Sequence, residues 1–183
     1  MALRRSTGRD VEYGVALTLA YSGDNQRTGA LIADLAARFP EDTIVQFNYL
    51  PTLRAKLALN QGKASEAIET LAIAAPYELG ATTASSYGWD ALYPVFVRGQ
   101  AYLDARKGKE ATAEFQKVVS HRGVVANEPI GVLAHLGLAR AYALQGDIRK
   151  TRAAYQDFLE LWKDSDPDIP ILKQAMAEYD RTR

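Results

Sequence analysis

Between residues 148 and 162, apolar or small side chains recur at Ile148, Thr151, Tyr155, Phe158, Leu159 and Trp162, while Arg149, Lys150, Arg152, Gln156, Asp157 and Glu160 fill the positions between them. Spacings of three, four and seven residues place the first set on one face of an amphipathic helix and the second set in water. Upstream, Leu138, Ala139, Tyr142 and Ala143 form another apolar stripe, and Gln145-Gly146-Asp147 separates the two. A glycine suits the end of one helix and an aspartate the start of the next. So short a turn predicts two antiparallel helices, a hairpin.

The same unit recurs along the chain. A small residue early in each second helix, at Thr28, Ala67, Ala111 and Thr151, marks four copies separated by 39, 44 and 40 residues. Around these anchors stand YSGDNQRTGALIADLAARFP, LNQGKASEAIETLAIAAP, YLDARKGKEATAEFQKVV and YALQGDIRKTRAAYQDFL. Repetition at a near-constant period predicts a stack of hairpins, at about residues 9–40, 42–76, 90–121 and 127–163. The alternating β-branched runs of half-buried strands do not occur, so the expected class is all-α, in one domain over residues 1–183. Residues 76–90, PYELGATTASSYGWD, break every helical period and predict a connecting loop without a domain boundary. Residues 168–181 return to a helical pattern through Ile171, Leu172, Ala175, Met176 and Tyr179, which predicts a capping helix. Trp162, at the end of the last stripe, is expected to pack beneath it.

Composition narrows the functions open to such a stack. Lysine plus arginine and aspartate plus glutamate stand at 22 each, so no net field draws the chain to nucleic acid. The most apolar region, residues 130–144, is interrupted by His135 and Arg140, which argues against a membrane span in this chain. Cysteine is absent, which excludes thiol nucleophiles, disulfides and cysteine zinc sites.

In its turn and helix positions the repeat resembles the tetratricopeptide repeat. The fourth unit carries Leu138, Ala139, Tyr142, Gly146 and Asp147, with Thr151 and Tyr155 at the alanine and aromatic positions of the second helix. The third carries Gly99, Tyr102, Ala111 and Phe115 but has its turn glycine displaced to Gly108. The second keeps Gly62, Ala67 and Ala74, and the first keeps Gly23, Asp24 and Pro40. The spacing exceeds the unadorned repeat of about 34 residues, so the extra length belongs between hairpins. The resemblance implies an α-α superhelix, a solenoid of about four hairpins plus the capping helix. It also implies a concave groove lined by first helices, at Tyr49, Thr52 and Lys56, at Tyr93, Phe96 and Gln100, and at Arg140. A protein or peptide is the partner implied, with aromatic anchors and charge-assisted hydrogen bonds. The lysine and asparagine set with which some such repeats hold a C-terminal carboxylate is not reproduced.

Longer segments, among them FPEDTIVQFNYLPTLRAKLALNQGKASEAIETLAIAAPYELG and AEFQKVVSHRGVVANEPIGVLAHLGLARAYALQGD, look like the C-terminal repeat region of bacterial eukaryotic-like serine/threonine kinases. That likeness implies a sensing or docking region in a parent with a kinase domain and, in many such proteins, a membrane anchor. The repeat region of a transcription regulator is the alternative parent. The chain itself carries no phosphate-covering GxGxxG, no VAIK-type lysine and no DFG. The implied role is therefore a non-catalytic scaffold without a cofactor, and the open ends of such a stack also allow a homo-oligomer.

Residues 121–131, HRGVVANEPIG, look like a kinase catalytic loop until its two essential residues are sought. Gly123 stands where the Asp belongs, and five residues on comes Glu128, with Asn127 one step short. The stretch is expected to be a connector, with Gly123 turning the chain, Val124 and Val125 tucked into the core and Asn127 capping the next helix. An enzyme using His121, Glu128 and His135 is the remaining alternative, although their spacing matches neither HExxH nor a zinc finger. No serine lies in a GxSxG elbow.

Overall fold

The computed structural model describes residues 8–80 and 92–182. Among these residues all regular structure is helical: α1 (Arg9–Tyr21), α2 (Asn25–Arg38), α3 (Leu50–Asn60), α4 (Ala64–Leu71), α5 (Tyr93–Asp104), α6 (Gly108–Ser120), the short α7 (Arg122–Val125), α8 (Pro129–Leu144), α9 (Ile148–Leu161) and α10 (Pro170–Asp180). A π-turn, Val45–Tyr49, leads into α3, and a 3-10 turn, Ala72–Tyr77, leaves α4. Helices pair as α1 with α2, α3 with α4, α5 with α6 and α8 with α9, and each pair packs on the next through α2–α3, α4–α5 and α6–α8. The segment 81–91, most of the expected connecting loop, lies outside the described residues.

One backbone device builds all four hairpins. Gly23, Gly62, Arg106 and Gly146 adopt φ of 83°, 73°, 56° and 74° at the four turns. The next amides, of Asp24, Lys63, Lys107 and Asp147, donate back to the carbonyls of Leu19, Ala58, Tyr102 and Tyr142, closing each first helix in the same way. The carbonyls of those four residues then accept from the amides of Thr28, Ala67, Ala111 and Thr151, the four anchors of the sequence period. All four anchors are buried, and the two threonines satisfy their hydroxyls on the carbonyls of Asp24 and Asp147.

The third turn corrects one expectation. Its positive φ falls on Arg106, and Gly108 is the first residue of α6, where a Cβ would stand 2.9 Å from the Ala141 carbonyl of α8. Gly108 therefore serves close helix approach rather than the turn. The connector differs as well. Gly123 lies inside α7, and Glu128 holds the N-cap position of α8 with Pro129 as its first residue, so Asn127 is not the cap. Val125 is buried and Val124 half-buried against the core, as expected. Ile148 and Met176 are exposed, since Ile148 opens α9 at the turn edge and α10 packs chiefly on α9. Trp162 is half-buried, its ring 5.2 Å from that of Phe158.

Ion pairs fasten the first hairpin. Arg38 of α2 lies 2.6 Å from Glu12 of α1 and 2.7 Å from Asp34. Burial is the largest influence on Glu12, the neighbouring Asp34 adds to it, and Arg38 opposes both; together they push its carboxyl from the ordinary 4.5 up to about 7. A carboxyl with a raised folded pKa binds its proton more tightly in the folded chain, so its contribution is full below the unfolded value and is lost as pH rises through the folded one. Stability should therefore fall from about pH 5 to pH 7 by at most about 1.4 kcal/mol per pH unit from this group. Glu12→Gln should flatten that part of the profile. Urea unfolding of both proteins across this range is the check, and parallel profiles would remove Glu12 as the cause.

Candidate functional site

Counting back from the four turn residues aligns the first helices by position. Thirteen positions before Gly62 and Arg106 stand Tyr49 and Tyr93, and ten before stand Thr52 and Phe96. All four were expected on the groove surface, and the structure buries them. Tyr49 stacks on Tyr13 of the preceding hairpin, with ring centroids 3.8 Å apart and planes within 2°, and its hydroxyl donates to Asp10 Oδ1 at 2.9 Å. Thr52 turns its hydroxyl onto the Asn48 carbonyl at 2.7 Å. Phe96 meets Phe115 edge to face at 5.7 Å, and the Tyr93 hydroxyl donates to Glu128 Oε2 at 3.0 Å. The physical reason is that the −13 tyrosines reach the adjacent hairpins, Tyr49 the one before and Tyr93 the one after, while at −10 Phe96 packs against the second helix of its own hairpin and Thr52 is satisfied by its own helix.

Six positions before the turn residues stand Leu17, Lys56, Gln100 and Arg140, and Lys56, Gln100 and Arg140 remain half-buried at the surface. Arg140 is already engaged: its Nε and Nη2 donate to the two oxygens of Glu178 on α10 at 2.9 and 3.0 Å. Burial alone would raise the Glu178 carboxyl, but the Arg140 guanidinium and the Tyr155 hydroxyl outweigh it and hold the pKa below its usual value.

Lys56 and Gln100 belong to a polar cluster that joins three hairpins. One helical turn further on, two positions before the turn residues, stand Tyr21, Asn60 and Asp104, the residues the sequence reading missed. Lys56 Nζ donates to Asn60 Oδ1 at 2.7 Å and lies 4.9 Å from the centre of the Tyr21 ring, a cation–π distance. The Tyr21 hydroxyl donates to Gln100 Oε1 at 3.3 Å, and Asn60 Nδ2 donates to the Ala20 carbonyl and to Asn25 Oδ1. Burial lowers the Lys56 ammonium and raises the Asp104 carboxyl, and each is partly restored by the other's opposite charge. The signal in the sequence was the shared register: each of these residues sits four positions after a member of the Lys56–Gln100 column.

This surface can offer an ammonium, a carboxylate, amides and an aromatic face in one strip, the set that recognises polar backbone and mixed-charge side chains. The enzyme alternative finds a different arrangement. The His121 ring nitrogen is held against the Lys117 carbonyl at 2.7 Å, while Glu128 and His135 line a separate cleft that His121 does not. Burial pushes the His135 pKa down, helped by Arg122 and opposed by Asp157. Among the described residues no three metal-ligating side chains come together, and no helix is long and apolar enough to cross a membrane. No family model matches the chain, and no curated protein matches it as a relative.

Proposed function

We infer that the chain is a tetratricopeptide-type scaffold that binds a protein segment across the first-helix face, in the repeat region of a bacterial serine/threonine kinase. The observation that carries this reading is the polar strip of Tyr21, Lys56, Asn60, Gln100 and Asp104, contributed by three successive first helices at the same two repeat positions. Identical hairpin turns hold those helices in a common register, so the strip is rigid before any partner arrives. A rigid strip of amphipathic and charged side chains loses little entropy on binding and serves recognition well. The kinase connection rests on the sequence likeness described above.

Selection of a displayed random peptide library on the full chain tests this directly. Selected peptides should bind wild type and lose roughly tenfold in affinity, about 1.4 kcal/mol, when Lys56 and Asp104 become Ala and Asn. The unfolding midpoint should stay close to wild type. Peptides whose affinity is indifferent to both substitutions would place recognition elsewhere on the molecule.

A further inference from the structure

Where α6 ends and α8 begins, the connector bounds a cleft of about 270 Å³. That volume lies just below the usual range for drug-sized ligands, about 300–1,000 Å³, and suits a small metabolite. One wall is aliphatic: Val118 of α6, Val125 of the connector, Val132 of α8 and the exposed Leu161 of α9. Arg122 and Glu128 line the same cleft with opposite charges. Tyr93 donates to Glu128 Oε2 at 3.0 Å, which fixes the carboxylate in place.

A backbone feature brings these groups to one cleft. Ala126, also in the lining, holds φ 50° and ψ −122°, a conformation that side-chain-bearing residues rarely adopt. The Ala126 amide donates to the Arg122 carbonyl at 2.9 Å and the Glu128 amide to the Val125 carbonyl at 3.1 Å, and Arg122 and Glu128, which flank this tight turn in sequence, both line the cleft. Strain kept in a short connector points to a role for the turn it makes.

We propose that the cleft binds a free α-amino acid with an apolar side chain, its carboxylate on the Arg122 guanidinium, its ammonium on the Glu128 carboxylate and its side chain against the valine wall. The charges complement group for group: a planar guanidinium matches a carboxylate, and a pinned carboxylate matches an ammonium. His135 adds a half-buried imidazole at the cleft edge. The site is separate from the first-helix strip and independent of the scaffold reading.

The test is a titration of the full chain followed by NMR and calorimetry, with L-leucine, N-acetyl-L-leucine, L-leucinamide and glycine as probes. Leucine should bind saturably and shift Val118, Val125 and Val132 resonances, with each of the other three weaker by roughly tenfold or more. Arg122→Ala should weaken leucine roughly tenfold and leave leucinamide unchanged, and Glu128→Gln should weaken leucine and leave N-acetyl-leucine unchanged. Arg122 is exposed, so its variant keeps the fold and tests the carboxylate contact even where Glu128→Gln disturbs Tyr93. N-acetyl-leucine binding as well as leucine would overturn the proposal by showing that a carboxylate alone is read. Absence of saturable leucine binding at millimolar concentration would also overturn it.

Discussion

Replacing Phe115 with alanine should lower the unfolding free energy by about 3 to 5 kcal/mol, seen as a large drop in denaturant midpoint. The ring is 1% exposed and fills the junction of three helices. It projects from α6 into a slot whose sides are two glycines, Gly99 of α5 and Gly137 of α8, where an added Cβ would stand 2.8 and 2.7 Å from its carbons. Phe96 closes the slot edge-on. No side chain at either glycine can grow inward to refill the space, so truncation leaves a cavity spanning two hairpins. The converse substitution identifies the slot: Gly137→Ala should cost about 1 to 3 kcal/mol in the wild type through overpacking. In the Phe115→Ala background it should cost far less, because the clashing ring is gone. Additive costs in that double-mutant cycle would show that the glycine and the ring do not share the slot.

The helical class and the hairpin period were legible because each rests on local chemistry. A small residue four positions into each second helix must be buried against its partner, and glycine marks three of the four turns. The third turn was misplaced because Arg106 holds a positive φ without glycine's signature, while a conspicuous glycine two residues later answers a distant carbonyl. Site residues were legible in register and mistaken in depth. Lys56, Gln100 and Arg140 share a column that reaches the surface, but Tyr49, Thr52, Tyr93 and Phe96 occupy columns buried against other helices. Helical periodicity finds an apolar or aromatic position; which neighbour covers it depends on how hairpins stack, and that information is spread over residues some forty positions apart. Thr52 illustrates the limit, since a polar residue looked solvent-facing while its own helix satisfied it. Ile148 and Met176 show the opposite error, apolar residues on a good stripe that the described neighbours leave uncovered.

Arg98→Met should cost about 3 to 5 kcal/mol, the range for removing one partner from a buried ion pair. Arg98 lies buried on α5 and bridges Glu78, at the exit of the second hairpin, to Glu114 of α6 at 2.6 Å. Lys117 completes the cluster, 3.1 Å from Glu78 and 3.8 Å from Glu114, so two carboxylates balance two cations. Burial acts against the Arg98 charge, and the hydrogen bonds from Glu78 and Glu114 outweigh it, so its pKa is raised. Without the guanidinium, Glu78 is left nearly inaccessible to water with Lys117 as its remaining cation among the described contacts. Removing that carboxylate too, in Arg98→Met/Glu78→Leu, should recover about 1 to 2 kcal/mol, because the lost energy belongs to an unpaired charge rather than to packing. Guanidinium unfolding of the three proteins distinguishes these outcomes, and a single-variant cost below 1 kcal/mol would show that Glu78 finds solvent instead. The cluster fastens the second hairpin to the third, and Lys56 and Asp104 sit on opposite sides of that junction. A loosened junction should therefore weaken any ligand that spans the two residues, even though Arg98 touches neither.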